Sequence, residues 1–205
     1  MQTITIVDYG MGNLFSVKKK LDKLKAKVII SSDPEVVRNA EKLILPGVGH
    51  FGKAMENLRQ ANLIEALNDA VLKNKTPILG ICLGMQLMAT FSEEGNVEGL
   101  GWFDAQVLKF QVSDSLRFKV PHVGWNQISS SKSSKLMTGI GHEAEFYFVH
   151  SYYMKVNNAS DELNSANYEL PFTAAIEKGN IFGVQYHPEK SHDVGEILLR
   201  NFVEL

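Results

Sequence analysis

The sequence predicts a single α/β domain over residues 1–205: an open, mostly parallel sheet with helices on both faces and antiparallel strands added at one edge. Three observations predict it. Short apolar runs alternate with segments of helical periodicity through the first half of the chain. The stretch from 103 to 177 is rich in strand-like pieces and poor in helical signals, and the end returns to strand, turn and helix. Strands separated by helices build right-handed βαβ units, whose parallel sheet is covered on both faces.

Each element has a local reason. Thr3–Asp8 reads as a buried strand, followed by a glycine-rich turn, Tyr9–Asn13, and by Leu14, Val17, Leu21 and Leu24 at helical spacing. Lys27–Ser31 is the second strand. Ser32 or Asp33 can cap the short helix that follows, with Pro34 suited to its first turn. Lys42–Leu45 is a third strand, stopped by Pro46-Gly47. Helical patterns fill Gly52–Arg59 and Leu63–Lys73, and Pro77–Ile81 is a fourth strand running into Cys82. Ala105–Phe110, Glu145–His150, Tyr152–Val156 and Thr173–Glu177 read as the antiparallel additions. Ile181–Tyr186 is a last strand, His187-Pro188 a turn, and Val194, Ile197, Leu198 and Phe202 mark a last helix. No repeat or linker interrupts the chain, so one domain is expected. Residues 111–119 and 129–135 carry no recognisable role.

Composition excludes several functions. A chain of 205 residues buries roughly 70% of its unfolded surface and needs no staples. A net charge of −2 argues against nucleic-acid binding, which rests on clustered cations. The one basic run, Lys18-Lys19-Lys20, lies in an amphipathic helical pattern and reads as a solvated face. A single cysteine cannot form an internal disulfide. No apolar run approaches the roughly 18 residues that cross a bilayer, and the strand-like TITIVD near the start lacks the features of a signal peptide. The expectation is a soluble cytoplasmic protein without a membrane contact. The six histidines are dispersed without ligand spacing, so neither a metal nor a cofactor is expected.

The chemistry begins at 77–87, PILGICLGMQL, where an apolar strand runs into G-x-C-x-G and a helix follows. Small residues on either side of a nucleophile allow a sharp strand-to-helix turn that presents its side chain. Gly80 and Gly84 leave room for the bend, and the helix N-terminus offers Cys82 unpaired N–H groups that favour a thiolate. The same groups can bind an oxyanion. A lone cysteine in an apolar run is ordinarily a buried small hydrophobe, so the elbow by itself leaves both readings open. Phe182–Ser191, FGVQYHPEKS, bears on the choice. There a strand ends in His187-Pro188-Glu189, and a histidine two residues before a carboxylate can form a base and its orienting partner. H-P-E alone is common in surface loops. Together the two motifs lie at the carboxyl ends of strands, where open α/β sheets place their sites.

Gly47, Gly49 and Gly52 form G-x-G-x-x-G after a strand and before a helix, the outline of a dinucleotide fingerprint. Here it follows the third strand rather than the first, and Asp69, near the required spacing, falls in a helical pattern instead of ending a strand. The better reading is a loop whose N–H groups face Cys82.

GICLGMQ with a downstream HPE resembles the class I, triad-type glutamine amidotransferases. IVDYGMGNLFSV at 6–17, LPGVGHFGKAM at 45–55, PHVGWN at 121–126, FYFVHSY at 146–152 and FGVQYHPEKS at 182–191 are similar, within that family, to glutaminase subunits serving imidazole glycerol phosphate synthesis. The resemblance implies an open flavodoxin-like sheet and a division of roles. Cys82 would attack the carboxamide of L-glutamine, His187 would act as base and then acid, and Glu189 would orient it. Backbone N–H groups around Val48, Gly49 and Leu83 would hold the oxyanion, and Gly47, Gln86, Glu94, His150, Ser151 and Tyr152 would line the glutamine pocket. Trp125, Asn126, Tyr147 and Lys190 would meet a (βα)8-barrel synthase subunit that takes up the ammonia in a heterodimer and forms imidazole glycerol phosphate and an aminoimidazole-carboxamide ribonucleotide. Two other readings stand beside this one: a paralogous glutaminase feeding a surface-polysaccharide amidotransferase, and a non-catalytic binding protein of the same fold.

Overall fold

The computed structural model describes residues 2–114 and 116–205. Its first part alternates as expected: β1 (Thr3–Val7), α1 (Leu14–Lys23), β2 (Lys27–Ser31), α2 (Pro34–Arg38), β3 (Lys42–Gly47), α3 (Phe51–Gln60), α4 (Leu63–Asn68), β4 (Ile78–Cys82) and a short α5 (Leu83–Gln86). The second part is strand-rich: β5 (Phe91–Ser92), β6 (Val97–Glu98), β7 (Ala105–Lys109), β8 (His122–Ser130), β9 (Glu145–His150), β10 (Tyr152–Val156), β11 (Glu162–Tyr168), β12 (Leu170–Lys178) and β13 (Ile181–Val184). α6 (His192–Glu204) closes it.

The strands lie in the order β2-β1-β3-β4-β13-β12-β10-β7-β5-β6. From β2 to β13 every pairing is parallel. β12 and β10 then run antiparallel, and β11, β8 and β9 branch off β12 as a further antiparallel ladder. The expected parallel sheet with antiparallel additions is what forms, and the additions are extensive. β13 comes last in the chain but sits between β4 and β12.

Helices cover both faces because successive strand residues point to opposite sides. Leu43, Leu45 and Ile78 join Ala54, Leu58, Leu67 and Val71 in one apolar cluster. Ile4, Ile6, Ile44, Leu79 and Ile81 join Val17, Leu21, Leu198 and Phe202 in the other. β3 and β4, central and parallel, are buried throughout, whereas edge strand β2 is only partly covered. Caps fix the helix starts. Asn13 accepts from the Ser16 N–H, and Asp33 rather than Ser32 caps α2, accepting from Glu35 N at 2.8 Å. The basic run is a solvated face, with Lys18 paired to Asp22 at 2.7 Å. One buried cation is structural. Lys42 Nζ donates to the carbonyls of Phe202 at 3.1 Å and Val203 at 2.6 Å, tying β3 to the last turn of α6, and burial lowers its pKa.

Three local features depart from the expected elements. The helix over Leu63–Lys73 is α-helical only to Asn68 and continues as a π-helical turn, Asp69–Lys73, with Asp69 held by Arg38 Nε at 3.0 Å. PHVGWN opens the nine-residue strand β8, and the polar ELNSANY forms β11. Their period-2 signal is obscured because polar residues such as His122 and Asn164 point inward while Val123 and Trp125 face solvent. The segment following β7 is pinned by Glu169, whose carboxylate accepts from Ser113 N, Ser113 Oγ and Asp114 N.

Gly84 is where helix and sheet meet most closely, for a Cβ there would collide with the Leu45 carbonyl of β3. Gly84→Ala should therefore destabilise the protein by about 3 kcal/mol or more, beyond ordinary overpacking. Gly141→Ala, where a Cβ meets nothing within 4 Å, should shift stability by only a few tenths of a kcal/mol. Urea denaturation of the two variants checks the contrast, and equal midpoints would refute it.

Candidate active site

β4 and β3 are in register so that Cys82 lies opposite Gly47. The chain then turns sharply. Cys82 has φ 54° and ψ −109°, a conformation that costs a non-glycine residue roughly 1–3 kcal/mol. Strain of this kind persists only where packing over-determines it, and here glycines do so: Gly80 lies against Met85 and Met88, and Gly84 against Leu45. The turn lifts the side chain out of the ladder at the sheet's carboxyl edge. The thiol remains mostly buried, at 6% exposure. The expected elbow is present.

β13 places the second motif beside the first. Beyond Val184 the chain stays tethered: Gln185 N donates to Ala174 O at 2.8 Å and His187 N to Tyr147 O at 2.9 Å. Ser191 Oγ donates to His187 O at 2.7 Å and accepts from Tyr147 N at 3.0 Å. Gly195 lets α6 press against the Pro188 carbonyl, where a Cβ would collide. The turn therefore has little freedom. Within it His187 Nδ1 lies 2.8 Å from Glu189 Oε1, both side chains buried. Nε2 is thereby the nitrogen left for Cys82, and it is buried without a well-formed hydrogen bond of its own. Burial opposes charge on His187, but the interactions with Cys82 and Glu189 outweigh it and raise its pKa well above the ordinary imidazole range.

A cavity of about 440 Å³ opens over Cys82. It brings together Val48, Gly49, Cys82, Leu83, Gln86, Glu94, His150, Ser151, Tyr152 and Lys190 from separate stretches of sequence, with Pro121 and Val149 as additions. Gly47 is buried beneath rather than exposed to the cavity, with the Tyr9 hydroxyl directly under its Cα and donating to Pro46 O at 2.8 Å. Glu94 accepts from Phe51 N at 2.8 Å, pinning the start of α3. His150 reaches the wall, but both ring nitrogens are engaged: Nδ1 is 2.8 Å from Tyr152 O and Nε2 is 3.0 Å from His122 Nδ1. A larger cavity, about 530 Å³, lies between β10 and β12 and is lined by none of Cys82, His187 and Glu189. Among the described residues no cluster of three or more His, Cys, Asp or Glu could hold a metal ion, and no helix is long and apolar enough to cross a membrane.

The family profile described as glutamine amidotransferase class-I matches residues 5–205. The chain belongs to this family. It is 48% identical over 201 residues, 98% of each chain, to "imidazole glycerol phosphate synthase subunit HisH 2" of Methanococcus maripaludis. It is 46% identical to the protein of the same name in Pseudomonas aeruginosa, over 98% of this chain and 99% of that one. The HisH subunit of Bdellovibrio bacteriovorus is 43% identical, over 98% and 100%. More distant solved structures share the fold. A putative GMP synthase component of Thermoplasma acidophilum superposes with a TM-score of 0.73 at 21% identity, over 100% of this chain and 93% of that one. PurLQS of Thermotoga maritima gives 0.76 at 16%, over 100% and 99%.

In this amidotransferase the residues expected at a partner interface form a face beside the cavity. Trp125 is 45% exposed, opposite Tyr147 in the β8–β9 ladder, and stacks on His192 at 4.9 Å. Lys190 Nζ lies 5.7 Å from the Tyr147 ring centroid, and Asn126 is half-buried at the inner margin. Sequence reasoning passed over Tyr9, His122 and Gln185. Gln185 is fully buried, with Nε2 3.6 Å from Cys82 Sγ. Only its place in a strand otherwise apolar and leading to His187 marks it. Tyr9 was hidden in a turn read for its glycines.

His122 and His150 sit among Phe110, Phe148, Tyr168 and Phe172. Burial drives His122 down to about 4 and His150 to about 3, the latter despite its bond to the Tyr152 carbonyl. Both are therefore neutral in the fold, while the unfolded chain takes up their protons below about 6.5. Stability should fall as pH drops from about 6.5 toward 4, by up to about 1.4 kcal/mol per unit for each ring. His187 acts oppositely: its raised pKa contributes stability below about 6.5 that is lost as pH rises through its folded value. Urea midpoints between pH 7.5 and 4.5 test the acid limb. His150→Phe should flatten its slope, and an unchanged slope would exclude these rings as its cause.

Proposed function

We propose that this chain is the glutaminase subunit of imidazole glycerol phosphate synthase, acting in the cytoplasm on L-glutamine and delivering ammonia to a (βα)8-barrel subunit. Its product there is imidazole glycerol phosphate, with an aminoimidazole-carboxamide ribonucleotide released in histidine biosynthesis. The observation that carries the reading is a strained Cys82 beside a buried, bonded His187–Glu189 pair, in a chain 41–48% identical to HisH subunits. The same likeness to HisH subunits leaves the surface-polysaccharide alternative without support.

In this reading Cys82 Sγ attacks the carboxamide carbon, and the charge developing on its oxygen is met by backbone N–H groups around Leu83 and the Val48–Gly49 loop. Donors of this kind are worth about 3 kcal/mol each in comparable sites. The protonated Nε2 of His187 gives its proton to the departing nitrogen, so ammonia rather than an amide anion leaves. The base then takes a proton from water, which opens the thioester and releases glutamate. Glu189 keeps Nδ1 protonated throughout, so Nε2 alone exchanges protons with the substrate. Gln86, Glu94, Ser151 and Tyr152 line the remainder of the pocket. The half-open cavity and the exposed Val123 and Trp125 next to it support a partner that covers both. Aromatics among polar groups suit such an interface.

Cys82→Ala in the complex with its barrel partner should abolish glutamine-dependent synthesis, by about a thousandfold or more, while ammonia-dependent synthesis stays near wild type. A glutamine-like electrophile should label the unaltered chain at Cys82 and leave Cys82→Ser unlabelled. Absence of labelling with and without the partner would defeat the glutaminase assignment. Failure to restore growth of a histidine-requiring strain, when co-expressed with its own barrel, would defeat the pathway assignment alone.

A further inference from the structure

A hydrogen-bond chain runs from the Trp125 face to the sulfur of Cys82, and its direction is fixed at every link. Tyr152 O only accepts, so the His150 Nδ1 that lies 2.8 Å away carries the hydrogen. In a neutral ring Nε2 is then bare and must accept, so His122 Nδ1, 3.0 Å away, is protonated in turn. His122 Nε2 accepts from Asn126 Nδ2 at 3.4 Å, and that amide also donates to Asn167 O at 2.9 Å. On the inner side Tyr152 O accepts a second bond, from Gln86 Nε2 at 2.9 Å. The same nitrogen donates to Gln185 Oε1 at 2.9 Å. Turning the Gln86 amide over would set its oxygen against two acceptors. Gln185 is consequently oriented with Nε2 toward Cys82 Sγ, at 3.6 Å. No member reverses without breaking its neighbours.

The surroundings hold the two rings in place. His122 stacks between Tyr168, 4.0 Å away, and Phe148, 5.0 Å away, while His150 lies against Phe110 and Phe172 at 5.3 Å. A core of this kind could be filled more cheaply by apolar side chains, since buried polar groups help only when every one is satisfied. Here every link is satisfied, and the chain ends on the nucleophile.

We propose that His122 and His150 are positioning residues for glutamine cleavage: through Tyr152, Gln86 and Gln185 they fix the amide that orients the Cys82 sulfur, and through Asn126 they expose the outer end of that chain to a subunit docked on the Trp125 face. The inference rests on the glutaminase reading for its consequence in catalysis, but not for the geometry itself.

The unaltered protein, labelled with ¹⁵N-histidine, gives the first measurement. At pH 7.5 both rings should be neutral with the proton on Nδ1, the less common tautomer in free imidazole; a proton on Nε2 of either ring overturns the proposal. The second compares His122→Phe, which keeps a flat ring in the stack and removes the donor, with His122→Asn, whose amide N–H takes the place of Nδ1–H. In the complex with the barrel partner, His122→Phe should lower kcat for glutamine hydrolysis about tenfold and move KM less than about threefold, with His122→Asn recovering most of the loss. Alkylation of Cys82, the chain's single cysteine, by iodoacetamide should slow and recover in parallel. Wild-type rates in His122→Phe, or equal losses in both variants, would reduce His122 to a packing role. Should the phenylalanine variant fail to fold, the asparagine variant and the tautomers decide. A wild-type complex that does not hydrolyse glutamine sinks the function proposed above, while alkylation rates and tautomers still settle the relay.

Discussion

The backbone at Cys82 is the constraint from which the site follows. A residue in a central parallel strand ordinarily points into one of the two helical layers. At the end of β4 the chain takes φ 54° instead, and the side chain leaves the layers for the sheet's carboxyl edge. That conformation opposes the intrinsic preference of a cysteine. It is maintained because β3 and β13 grip β4 from both sides and because α5 packs against the β3 carbonyls with only hydrogen atoms between. Cys82 is thus placed by the sheet, the most rigid part of the molecule, while the groups around it come from turns held by side-chain and backbone hydrogen bonds.

Three histidines near the site show how surroundings set charge. His187 lies against a carboxylate and the cysteine sulfur, and these favour its cation despite burial. His150 and His122, a few ångströms deeper among aromatic rings, meet no anion and stay neutral. The positive charge favoured on His187 adds to the neutrality of His150. One ring is therefore ready to transfer a proton, and the other two are ready to hold hydrogen bonds whose direction does not change. Residue type alone would have made them equivalent.

The parallel half of the fold was legible because its central strands β3 and β4 are buried on both faces and read as short apolar runs between helical patterns. Cys82, His187 and Glu189 were legible because their neighbours in sequence are also their neighbours in space: glycines beside the cysteine, a carboxylate two residues from the histidine. β8 and β11 were not, since their buried positions hold polar residues such as His122 and Asn164 while Val123 and Trp125 face solvent, which inverts the usual alternation. The relay was illegible for another reason. His122, His150, Gln86 and Gln185 are joined by pairings separated by 28 and 99 residues, and nothing local in the sequence signals such contacts. The resemblance to a known family placed Gln86 and His150 at the pocket, but the tautomer each ring must hold follows only from the pattern of donors and acceptors.

The position of β13 has a consequence for how the molecule is made. During synthesis, β4 and β12 exist before residue 181 is joined to the chain, yet neither can complete its pairing until β13 slides between them. A nascent chain therefore holds an open seam through the middle of its sheet, and His187, Glu189 and the Lys42 tether to α6 all arrive only with the segment that closes it. Closing the seam and bringing His187 and Glu189 beside Cys82 are one event. An incomplete polypeptide carries Cys82 without the two side chains that the finished fold sets beside it.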